Sequence, residues 1–196
     1  MCFMKGISIF CGSSLGEDKK IIASAYHLGT YLAQKKVTLV YGGGKVGLMG
    51  QVAQGALDTG GQIIGVIPNF LKQKEVHHTG LSELILVETM HERKLKMHEL
   101  SDGVIMLPGG FGTFEEFFEM LTWAQLGLHQ NPIGILNVNG FYDPLIQMFE
   151  NMVTHRFLKD DHKNMVLVDN NIERLLEKMN NYAGHGIPKW MDHHQT

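Results

Sequence analysis

Cysteine and proline are scarce in this sequence: two of the first, Cys2 and Cys11, and five of the second among 196 residues. Two thiols so close to the N-terminus exclude a disulfide framework and fit a reducing cytoplasm. With so little proline, charged residues at 19% and hydrophobic residues at 44%, a disordered or linker-rich chain is excluded as well. No window approaches the roughly 20 consecutive apolar residues of a membrane helix. No basic segment followed by a long apolar stretch opens the chain, since Lys5 interrupts a run that reads as a strand, so no signal peptide is expected. A formal charge of −3 leaves no basic excess for nucleic acid or an anionic membrane surface. The length suits about one domain, able to bury a core without staples. That domain is expected over 1–182, followed by a polar tail at 183–196. Glycine is what the chain has in excess, 23 in all, and the glycines cluster.

Short apolar, β-branched runs alternate with stretches of helical period. Residues 7–11, 37–41, 62–67, 84–87, 103–107, 133–138 and 165–168 read as strands. Residues 19–35, 48–57, 90–100, 113–126, 143–157 and 172–179 read as helices, and 69–82 as a loop holding a short helix. Nearly continuous apolar strands separated by helices predict an α/β fold: a single-domain, Rossmann-like, doubly wound parallel sheet with helices on both faces. In such sheets the ligand sits beyond the carboxyl ends of the strands. Three glycine- or serine-rich loops fall there, after the first, second and fifth strands.

Gly42-x-Gly44-x-x-Gly47 matches the dinucleotide fingerprint, but on the second strand. The acid that should hold the ribose is missing: the next strand ends at Pro68-Asn69, and Asp58 comes too early. A redox dinucleotide is therefore disfavoured, and no Gly-Lys-Ser/Thr is present for a nucleoside triphosphate. Pro108-Gly109-Gly110-Phe111-Gly112-Thr113-Phe114-Glu115-Glu116 is the stronger segment. Its glycines let backbone N–H groups approach a ligand, and the helix expected near Thr113 adds free N–H groups and a positive dipole end. Together they suit one phosphate, with Thr113 capping the helix or donating its hydroxyl. Acids in a first helical turn commonly just complement the dipole, which accounts for one of Glu115 and Glu116. A carboxylate beside a phosphate site has a second use at the sugar, where it stabilises an oxocarbenium ion and orients water.

Met90-His91-Glu92-Arg93-Lys94-Leu95-Lys96 brings positive charge ahead of the fifth strand. The bland reading is an exposed helix with a Glu92–Lys96 pair. Period alone does not say which of Arg93, Lys94 and Lys96 enters the site, although Arg93 offers two-pronged recognition of a phosphate or carboxylate. The eleven histidines form no ligand-spaced motif, and His77-His78 and His193-His194 are adjacent, so no metal is expected. The helix from Phe114 is apolar at Phe117, Phe118 and Leu121 but also at Met120 and Trp123, more than one face. This points to a second subunit.

Pro108-Gly109-Gly110-x-Gly112-Thr113-x-x-Glu116, the glycines from Gly42 to Gly50 and Met90-x-x-Arg93-Lys94 together resemble the LONELY GUY (LOG) family. These are cytokinin riboside 5′-monophosphate phosphoribohydrolases, often mislabelled as lysine decarboxylases. The resemblance runs through almost the whole chain except the tail. It implies hydrolysis of the N-glycosidic bond of a purine nucleoside 5′-monophosphate, N6-modified or plain AMP, without a cofactor. By that likeness Arg93 and Glu116 are the catalytic pair, and Gly109, Gly110, Gly112 and Thr113 the phosphate cradle. Glu75, Lys94, Glu115 and Thr122 are substrate contacts, and Ser13 lies near the nucleotide. A homodimer with the site near its interface is implied too, beside the cytoplasmic location read from the cysteines. This chain departs from the pattern at His77-His78, which stand before Thr79-Gly80, and at Phe111, where the family often has tyrosine. Lysine decarboxylation would need a Schiff-base lysine and a pyridoxal site, and no lysine adjoins the proline-glycine loop. The competing reading is a nucleotide-binding or carrier module without turnover.

Overall fold

Strand side chains alternate between two buried layers, and that period of two organises the molecule. In the computed structural model, which describes residues 4–72 and 78–184, the strands are β1 (Gly6–Phe10), β2 (Thr38–Tyr41), β3 (Ile63–Pro68), β4 (Glu83–Val87), β5 (Gly103–Met106), β6 (Ile133–Leu136) and β7 (Val166–Asp169). They form one sheet in the order β4-β3-β2-β1-β5-β6-β7, every pair parallel. The helices are α1 (Lys19–Gln34), α2 (Gly47–Asp58), α3 (Asn69–Lys72), α4 (Met90–Glu99), α5 (Phe111–Leu126), α6 (Asp143–Thr154), α7 (Asp160–Lys163) and α8 (Ile172–Asn180).

Ile7, Ile9, Leu39 and Ile105 pack beneath Leu28 and Leu32 of α1, Val52 and Ala56 of α2, and Leu175 of α8. Phe10, Val40, Val104 and Met106 turn to the opposite face, against Met97 of α4, Phe117 and Met120 of α5, and Phe149 of α6. Each such aliphatic or aromatic side chain taken fully out of water stabilises the fold by about 1.5–3 kcal/mol. The Rossmann-like doubly wound sheet expected from the sequence is the observed one. Four details differ. α5 starts two residues before Thr113, and α6 stops at Thr154. β6 gives way to a 3-10 turn at Val138–Gly140, and α7 carried no periodic signal at four residues long. α3 is the short helix of the 69–82 stretch. Of the tail, 185–196 lies outside the described residues.

The chain adds β2, β3 and β4 on one side of β1 and then returns to its other side as β5. The switch point thus lies between β1 and β5, and the loops after both strands flank it. Main-chain bonding continues past the strands: Leu107 N–H donates to Phe10 O at 2.9 Å and Gly12 N–H to Pro108 O at 3.0 Å. The two loops that border the crevice are therefore held in register by the sheet.

At the far end of α4, the His98 ring lies 4.7 Å from that of His129 and edge-on to Trp123. Asn131 N–H donates to His129 Nδ1, which leaves Nε2 to donate to Met120 O at 2.9 Å, the neutral tautomer. Burial, then the neighbouring His98, push His129 down to about 4, and burial lowers His98 too. Because the unfolded chain takes these protons first, the pair's contribution to stability is complete above about pH 6.5 and is lost as pH falls toward 4. In an NMR titration the His129 ring should keep neutral-form shifts to near pH 4. A midpoint above 6 would refute this account.

Candidate active site

α4 begins with a reciprocal cap. Thr89 Oγ1 accepts from Glu92 N–H at 3.1 Å, and the Glu92 carboxylate accepts from Glu88 N–H at 2.8 Å. Glu92 is thereby committed to the cap, and Lys96 pairs with Glu99 at 3.0 Å instead of with Glu92. With the helix phased from Met90, Arg93 and Lys94 both turn inward and are buried, while Lys96 stays at the surface.

α5 starts from Gly110 as its N-cap, with no side chain capping it. Thr113 is thus the third helical residue and not the cap. Its hydroxyl lies against Gly109, where a Cβ would overlap it. The first intrahelical bond runs from Phe114 N–H to Gly110 O at 3.2 Å, so the N–H groups before it have no helical acceptor. Nothing crowds the Cα atoms of Gly110 and Gly112. The positive end of a sixteen-residue helix therefore opens onto free space.

That space is a cleft of about 270 Å³ in which Ser13, Gly110, Phe111, Gly112, Thr113, Arg93, Glu115 and Glu116 come together. Arg93 Nη2 lies 3.7 Å from Glu116 Oε1, and only about a tenth of either side chain is exposed. The distance is too long for a closed hydrogen bond. Arg93 Nη1 donates to Met90 Sδ at 3.9 Å, while Arg93 Nε is buried with no hydrogen-bond partner among the described residues. Burial pushes the Glu116 carboxyl up. Arg93 and then Lys94 pull it back, and Glu115 and Glu119 add to the push. Lys94 Nζ sits 2.5 Å from Glu115 Oε1 and 2.9 Å from Glu119 Oε2.

Other expected residues lie elsewhere. Thr122 is exposed, bonds Phe118 O at 2.7 Å and stands six residues beyond Glu116, about 9 Å along the helix axis on another face. Glu75 and His77 fall outside the described residues. Four lining residues were not among the expected site residues: Cys11, Gly12, Met49 and Met90. Cys11 directly follows β1 and precedes the serine loop, which is the available signal. Burial, with Glu116 next, raises its thiol far above the usual range, so it is no nucleophile. The Gly42–Gly47 loop has a different role from the one its fingerprint suggests. Leu48 and Met49 N–H, at the start of α2, donate to Gly12 O at 3.1 and 3.4 Å. That helix end braces the first loop, which argues against a pyrophosphate there. Among the described residues no group of three or more His, Cys, Asp or Glu could hold a metal ion. No described helix is long and apolar enough to cross a membrane.

Residues 49–179 match the family model described as "Possible lysine decarboxylase". A probable cytokinin riboside 5′-monophosphate phosphoribohydrolase of Oryza sativa subsp. japonica is 44% identical over 90% of this chain and 79% of its own length. A cytokinin riboside 5′-monophosphate phosphoribohydrolase of Rhodococcoides fascians is 46% identical over 86% of both chains. The chain belongs to the LOG family.

Among solved structures, the LOG fold seen here resembles a molybdenum cofactor binding protein of Rippkaea orientalis, with TM-score 0.68 and 24% identity over 89% of this chain and 94% of that one. At that identity the likeness concerns the fold alone. The decarboxylase wording of the family model finds no support in this LOG chain's residues. A Schiff-base lysine must lose its proton. Lys94, the lysine packed behind the cleft, is held as an ammonium: burial would lower its pKa, but Glu115 and Glu119 outweigh burial and raise it. Among the described residues lining the cleft there is no lysine to hold a pyridoxal cofactor.

Proposed function

We propose that this chain hydrolyses the N-glycosidic bond of adenosine 5′-monophosphates, N6-modified or plain, releasing an adenine-type base and ribose 5-phosphate. One observation carries the reading: an uncapped glycine helix entrance and a buried Arg93–Glu116 pair share a single cleft. The N–H groups of Gly112 and Thr113 take the 5′-phosphate, with Gly110 giving the backbone room. Glu116 stands three residues past Thr113, about 4.5 Å along the axis, which suits a ribose between phosphate and carboxylate. As the bond from C1′ to the base nitrogen breaks, positive charge grows on the sugar and the carboxylate opposes it. Glu116 also takes a proton from the attacking water, whose oxygen bonds to C1′. The departing base leaves with the electron pair and takes up a proton from solvent, to which Glu116 later returns the one it accepted. Arg93 orients Glu116 and brings its positive charge to the sugar. The names of the relatives at 44% and 46% identity support the same chemistry.

The chain is read as a cytoplasmic homodimer. Half-buried Phe118 and Leu121 border a groove of about 240 Å³ on α5 that includes Thr122. From there Thr122 serves the site only across a subunit interface.

Incubation with AMP and with N6-isopentenyl AMP should release free base, read by chromatography. Base from neither, with AMP still bound, would replace this reading by a carrier.

A further inference from the structure

Lys94 is the least expected charge in the molecule. Its side chain is only 5% exposed, yet it lies at the surface of α4 that meets α5, one residue past Arg93. A buried ammonium is costly unless paired on several sides. Here two carboxylates from successive turns of α5 surround it: Glu115 accepts a hydrogen bond from Nζ at 2.5 Å, and Glu119 forms an ion pair with it at 2.9 Å. Glu115 and Glu119 flank Glu116 on the same helix, so α5 brings three acids to two cations of α4.

We propose that Lys94 is a positioning residue: it pins α5 to α4 and balances Glu115 and Glu119, so that Glu116 faces the cleft as a carboxylate at a fixed distance from Arg93. The inference rests on the catalytic reading of the Arg93–Glu116 pair. The charged groups acting on Glu116 are Arg93 and Lys94 from α4 and Glu115 and Glu119 from α5, and Glu116 in turn acts on the Cys11 thiol just past β1. The Gly42 loop and the start of α2 present Gly42 and Met49, which carry no charge. Remove the Lys94 charge, and Glu115 and Glu119 act on Glu116 uncompensated. The result is a carboxyl that holds its proton to higher pH, and a base that holds its proton does not activate water.

The test is the pH profile of base release from AMP. Lys94→Met should move the acid limb of kcat upward by about one pH unit while KM for AMP changes little. Adding Glu115→Gln and Glu119→Gln to it should return the limb toward the wild-type position. Glu119→Gln alone, with Lys94 intact, should move the limb downward, which keeps the proposal testable should Lys94→Met fail to fold. An unchanged limb with a raised KM would make Lys94 a substrate contact and overturn the proposal. A limb that stays high in the triple variant would overturn the charge-balancing role. Glu116→Gln is measured alongside: if it retains wild-type turnover, the catalytic reading falls, and this inference with it. If it is inactive while the Lys94 variants keep the wild-type limb, only the positioning role falls.

Discussion

Replacing Glu116 by glutamine is expected to lower kcat for base release at least about a thousandfold while AMP binding changes only a few fold. The substitution is nearly isosteric and removes two things at once, the negative charge beside C1′ and the acceptor for the water proton. In the proposed reading the phosphate is held by main-chain N–H groups of α5, which the change leaves in place. Stability should not suffer, for a physical reason. Glu116 is 9% exposed and its carboxyl is pushed up chiefly by burial, so the native state works to keep it charged. A neutral amide there relieves that cost, and its oxygen still faces Arg93. The melting temperature should equal or exceed that of the wild type. Chromatographic turnover, calorimetric AMP binding and a thermal melt separate the possibilities. Turnover within tenfold of wild type would remove Glu116 from the chemistry, and loss of AMP binding would place it in recognition instead.

Most of the sheet can be read from the residues because buried parallel strands are apolar nearly throughout, and the turns between them are marked by glycine. VTLVY followed by three glycines leaves little choice. The start of α5 was less readable. Thr113 has the chemistry of a cap, and local preference placed the boundary there, whereas the open backbone of Gly110 lets the helix begin two residues earlier. The inward turn of both Arg93 and Lys94 was hidden for a related reason. Both lie in a strongly polar helix whose apolar period is weak, and only the acids of α5 make burial of two adjacent cations tolerable. A sequence shows acids and bases but not which of them cross between helices. The fingerprint at Gly42–Gly47 misleads because one pattern serves two ends: a close approach of backbone to phosphate, or of backbone to protein. Here the partners are the Gly12 carbonyl and the Arg93 side chain.

That second partner makes Gly42→Ala the other variant with a large expected effect. A Cβ on residue 42 would overlap Arg93 Nη2, stand 3.1 Å from its Cζ and 3.2 Å from Met49 Sδ. The positive φ values in this loop belong to Gly43 and Gly47, so alanine at 42 meets no comparable backbone strain. Relief must come from the guanidinium, the free end of a flexible side chain, which swings away from Gly42. Its salt-bridge distance to Glu116 then changes, and a displacement of about 1 Å at a catalytic group can cost on the order of a hundredfold in rate. The expected result is a kcat about a hundredfold lower with a melting temperature within a few degrees of wild type. Arg93→Ala should lose at least as much turnover, and combining the two should add little, since both act through one guanidinium. Separate, multiplying losses in the double variant would show that residue 42 acts on something other than Arg93. Turnover within threefold of wild type in Gly42→Ala would mean that the guanidinium can move without consequence, and that its contact with Glu116 is not part of the reaction.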